Sequence, residues 1–129
     1  MFRVVGFVTA FLLVLVTSPY WLRQLNKYVM RLPARKIGPI LKKLRLIHKP
    51  LGIALFVIAA THGYMALGFF QWHTGSIAWL AFSVTASLGI ALYFRRKPAL
   101  FKLHKGAALT AVLLVLVHLL FPSLLYYLL

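Results

Sequence analysis

Four apolar stretches, at about residues 2–21, 50–70, 76–94 and 106–125, leave this chain little choice of solvent. Each is close to the roughly 20 residues that carry a helix across a bilayer core of about 30 Å. In hydrocarbon the backbone must satisfy its own hydrogen bonds, so a stretch of this length crosses as a helix. The expected fold is all-α, with four transmembrane helices in a bundle that forms a single integral membrane domain over residues 1–129. Helices two and four are expected to reach back at their N-terminal ends to His48 and His104.

Charge orients the bundle. Of fifteen Lys and Arg, nine fall between Arg23 and Lys49, five between Arg95 and Lys105, and only Arg3 elsewhere. Cytoplasmic loops collect such cations, so both basic stretches belong inside the cell and both termini outside, in a plasma or inner membrane. Small residues before Pro19 offer a cleavage site for a signal peptide. Cleavage there would strand nine cations outside, so the first run is expected to stay as a spanning helix.

Helix one is expected to end near Pro19, with Tyr20 and Trp21 at the interface. Beyond it Leu22, Leu25, Val29 and Leu32 share one helical face, opposite Arg23, Asn26, Lys27 and Arg31. That pattern predicts an amphipathic basic segment lying on anionic lipid headgroups. Pro33, Gly38 and Pro39 are expected to break it before helix two.

The chain has no Cys, Asp or Glu. Disulfides, iron–sulfur ligation and covalent haem attachment through cysteine are therefore excluded. Carboxylate acid–base catalysis and hard-cation sites are excluded with them. The remaining chemistry rests on histidine. His48 and His62 stand fourteen residues apart, and so do His104 and His118. Fourteen helical residues rise about 21 Å and close four turns to within about 40°. Each pair thus shares one face, with one imidazole near each membrane surface.

Helices two and four run parallel, so His48 meets the depth of His104, and His62 that of His118. Two stacked imidazole pairs are what two bis-histidine haems require. Gly52, Leu55 and Ala59 on helix two, with Ala107, Ala108, Ala111 and Val115 on helix four, leave room between them. The competing reading treats these histidines as hydrogen-bonded packing residues, and the small side chains as an aid to close helix contact. His73, beside Trp72 in a short outer loop, matches nothing and reads as a surface residue.

The segments "IHKPLGIALFVIAATHGY" and "LHKGAALTAVLLVLVHLL" resemble the ferric reductase-like transmembrane family, which includes NADPH oxidases and ferric reductases. In that family two helices each carry two histidines, thirteen or fourteen residues apart, that ligate two stacked b haems. The resemblance covers residues 45–68 and 95–121 and implies His48, His62, His104 and His118 as iron ligands. It departs from the family in helix number, four against about six, and in lacking a Gly-rich nucleotide fingerprint.

The expected function is a dihaem b-type cytochrome subunit, an electron-transfer part of an oxidoreductase complex rather than a complete enzyme. Electrons would pass between a cytoplasmic partner and an outer acceptor, in a hetero-oligomer with a flavin or iron–sulfur subunit. With the interior negative, outward electron movement gains about 2.3 kcal/mol per 100 mV. The cytoplasmic cations would bind lipid, set topology and steer an acidic partner; no nucleic-acid partner is expected. Arg45, Lys49, Lys102 and Lys105 are placed to pair with the inner haem's propionates. At the outer end Arg3 is the available cation, with Trp72, Thr74, Ser123 and Tyr126 as neutral donors. Two alternatives stand beside this: a quinone-reactive cytochrome b anchor of a respiratory complex, and a haem-free transporter or assembly factor.

Overall fold

The computed structural model describes residues 1–128, apart from the side chains of Phe2 and Tyr126, and every regular element in it is helical. Helix α1 spans Phe2–Leu25 and runs into a π-helical turn at Asn26–Met30. Helix α2 spans Ala34–Leu67, α3 Thr74–Arg95, α4 Pro98–Leu120, and a short α5 covers Leu124–Leu128. The four long helices are each long and apolar enough to cross a membrane.

Helix α1 does not end at Pro19; it continues through it. Proline has no N–H for the carbonyl four residues back, here that of Leu15. The Ser18 hydroxyl donates to that carbonyl at 2.6 Å, so the preceding residue replaces the missing amide. The Trp21 indole N–H donates to Thr17 Oγ1 at 3.0 Å, on the same exit turn.

Nor does the basic segment form a separate interfacial helix. Arg31 donates its N–H to the Asn26 carbonyl, five residues back, and turns left-handed at φ 49°. Asn26 clamps the turn: its Oδ1 accepts from the Leu32 N–H at 2.9 Å and its Nδ2 donates to the Leu32 carbonyl. Pro33 then starts α2, which passes unbroken through Gly38, Pro39 and Pro50. At about 1.5 Å per residue, its 34 residues measure about 51 Å, well beyond the bilayer core of about 30 Å. The excess lies at its basic N-terminal end, where Ile37 and Leu41 are buried. The expected amphipathic face exists, but it stands on the bundle as one arm of a helical hairpin. With Val14, Ser18, Trp21 and Leu44, the residues Leu22, Leu25 and Val29 line an open apolar groove of about 620 Å³.

Helix α4 starts with Pro98 in its first turn and stops at Leu120, short of the expected position 125. Pro122 is the reason: the residue before a proline is driven out of the α region, and Phe121 sits at φ −137°, ψ 65°.

The chain packs as two antiparallel hairpins, α1 along α2 and α3 along α4, with α2 touching α3 more sparingly. Leu13 and Val16 of α1, Leu55 and Ala59 of α2, Phe82 of α3 and Ala111 of α4 form the core. Large apolar residues such as Phe7, Phe11, Ile53, Val57, Val84, Ile90, Leu113 and Leu120 are exposed around the outside. Apolar exposure on this scale suits a surround of lipid rather than water.

Candidate functional site

The helices bring the four histidines together in two pairs. The ring centroids of His48 and His104 are 6.1 Å apart with planes at 83°; those of His62 and His118 are 6.4 Å apart at 62°. All four rings are half-buried. The first pair lies at the basic end of the bundle and the second at the end that carries both termini, with the core cluster between them.

Hydrogen bonding fixes which nitrogen of three rings carries the proton. His48 Nδ1 lies 2.8 Å from the Val16 carbonyl and His104 Nδ1 lies 2.9 Å from the Thr85 carbonyl. A carbonyl can only accept, so each Nδ1 carries hydrogen and each neutral ring keeps its lone pair on Nε2. His118 reaches the same state by another route. Thr74 Oγ1 donates its one proton to the Pro122 carbonyl at 2.9 Å and so accepts from His118 Nδ1, also at 2.9 Å. An imidazole anchored through Nδ1–H presents Nε2 as a metal ligand.

Glycines on the outer helices admit the rings. A Cβ on Gly6 would lie 2.9 Å from His62 Cε1, one on Gly75 3.0 Å from His118 Cε1, and one on Gly89 3.1 Å from His104 Cε1. These glycines sit on α1 and α3, on helices that carry no paired histidine, so the histidine interval alone did not reveal them.

The two hairpins repeat each other. His48 to His104 and His62 to His118 are each 56 positions. Gly6 to Gly75 and Val16 to Thr85 are each 69, as are the buried Leu13 and Phe82. The 13-residue difference is the longer basic connection of the first hairpin. One histidine of each pair therefore comes from each half.

Charged groups cluster at the basic end. Lys49 Nζ lies 4.2 Å from the centre of the Tyr93 ring, and Lys105 Nζ lies 5.4 Å from that of Tyr20. Arg45 and Lys102 are exposed on the neighbouring turns. At the other end Arg3 is exposed, one turn before Gly6 on the same helix face. Thr74 is committed to His118 and Pro122 rather than free as a donor, while Trp72 and Ser123 are exposed. The Tyr126 side chain lies outside the described residues.

His73 is more than a surface residue. Its Nδ1 accepts the Gly75 N–H at 3.2 Å, which caps α3, and its ring stands 5.3 Å from that of His118. Burial lowers its pKa, which favours the neutral ring that this cap requires.

Among the described residues no three His, Cys, Asp or Glu side chains converge to hold a metal ion. Comparisons with protein-family models, with curated proteins and with solved structures find no match for this chain.

Proposed function

We propose that the chain is a dihaem b-type cytochrome subunit, passing single electrons between a partner at its basic, cytoplasmic end and an acceptor outside. The paired histidines carry this reading. Two facing, half-buried imidazoles at each depth are the donor set that a haem iron would take. Their ring centroids are 6.1 and 6.4 Å apart. His48 and His104 would hold one haem, and His62 and His118 the other. When bound, the two haems supply a one-electron relay across the bilayer. The resemblance to the ferric reductase-like family supports the same ligand set.

A second observation favours a bound group. Among the described residues Trp79 Nε1 is buried with no acceptor, on α3 between Thr74, which meets His118, and Thr85, which meets His104. A buried donor left so costs about 1–3 kcal/mol, which a bound group with an acceptor atom would relieve. At the basic end Arg45, Lys49, Lys102 and Lys105 are placed to neutralise propionates, and Arg3 at the other. The cations along the projecting α1–α2 hairpin suit an acidic flavin or iron–sulfur partner and anionic headgroups.

Haem extraction from the purified protein tests the reading. The expected result is a red preparation with a b-type spectrum and two haems per chain. His48→Ala or His104→Ala should remove one haem, and His62→Ala or His118→Ala the other. A colourless protein that takes up no haem rejects the proposal. One haem per chain rejects the stacked arrangement.

A further inference from the structure

Thr74 is the one polar side chain among the described residues that is buried, at 6% exposure. Burying a hydroxyl is costly unless its hydrogen bonds are made, and here both are. The residue begins α3, where a threonine would ordinarily serve the helix start. That role is taken by His73, whose ring accepts the Gly75 N–H. The Thr74 hydroxyl is directed across to α4 instead. It accepts from His118 and donates to the carbonyl of Pro122, just past the point where α4 breaks.

We propose that Thr74 is a positioning residue that holds His118 in its Nδ1–H tautomer and sets how strongly that ring donates to the iron it binds; this rests on the haem reading above. Donation of Nδ1–H to an acceptor raises the basicity of Nε2. The Thr74 oxygen is a better acceptor because its own proton is drawn towards Pro122, since linked hydrogen bonds polarise one another. A more basic Nε2 stabilises the oxidised iron over the reduced. At His48 and His104 the acceptors are main-chain carbonyls, which no side-chain substitution removes. At His118 the acceptor is a side chain, so the haem at the terminal end has a handle that the other lacks.

Redox titration of the haem-loaded protein tests this with Thr74→Val and Thr74→Ser. Valine keeps the shape and loses the acceptor. It should raise the midpoint of the His62–His118 haem alone, by up to about tenfold in its reduction equilibrium, or 59 mV for one electron. Serine should restore it. Loss of that one haem in the valine variant, with retention in the serine variant, also supports the positioning role. Unchanged midpoints, an equal shift of both haems, or loss of both haems would overturn it. A colourless wild type rejects the haem reading and leaves Thr74 open to ring-nitrogen NMR of the apoprotein. There His118 should be Nδ1-protonated in wild type and mixed in the valine variant; an Nε2-protonated wild type would sink the inference.

Discussion

A missing Cβ decides where an imidazole can stand. Real Cβ atoms essentially never approach a neighbour as closely as the 2.9 Å that Gly6→Ala would impose on His62. Ring or helix must then move, and a ligand displaced by a few tenths of an ångström binds its metal poorly. Gly6→Ala is therefore expected to lower occupancy of the proposed His62–His118 haem, read by haem extraction. Gly63→Ala is the control: its Cβ meets nothing within 4 Å. Alanine in a helix interior there should gain about 0.5–1 kcal/mol without touching haem content. Arg3→Gln should lower the midpoint of the terminal-end haem if Arg3 neutralises its propionates, because a nearby cation favours the reduced iron. An unmoved midpoint would confine Arg3 to the headgroups. The four histidines were legible because their spacing lies within single helices. Gly6, Gly75, Gly89 and Thr74 were not, because their meaning depends on the register between helices, which no periodicity encodes.

At the scale of the helix, proline and amphipathicity misled for definable reasons. Pro19 signals a stop only if the freed Leu15 carbonyl stays unpaired, and Ser18 pairs it. Ser18→Ala should cost about 1 kcal/mol, measured as a lower melting temperature in detergent, and more than Ser87→Ala, whose hydroxyl bonds to a carbonyl within an uninterrupted helix. The face formed by Leu22, Leu25 and Val29 looks the same in sequence whether it covers headgroups or flanks another helix. What decides is α2, whose 34 residues are longer than a bilayer core requires and give α1 an arm to pack on. Spin labels at Lys36 should accordingly be reached by water-soluble relaxants and shielded from lipid-soluble ones; the reverse would lay the hairpin on the membrane. Arg96 closes α3 at φ 48°, a conformation that costs a side-chain-bearing residue about 1–2 kcal/mol. Arg96→Gly should raise stability by about that order.

Across the whole molecule the charge split and the even number of spans make a single statement about orientation. Both termini share one end, and fourteen of fifteen cations lie at or near the other. In intact cells an impermeant thiol reagent should label a cysteine at Trp72, which is 71% exposed, and spare one at Lys36. Labelling at Lys36 would invert the proposed electron path. The repeat of the two hairpins carries a further consequence. Each half would bring a single ligand to each proposed haem, and α2 touches α3 only sparingly. Between Gly68 and His73 the covalent link is a short exposed stretch. On the haem reading, the chain is a two-piece clamshell in which the cofactors would act as clasps added to the core that both halves share. Co-expressed as residues 1–69 and 70–129, the halves should travel together through purification while loaded and come apart more readily once the iron porphyrins are stripped out.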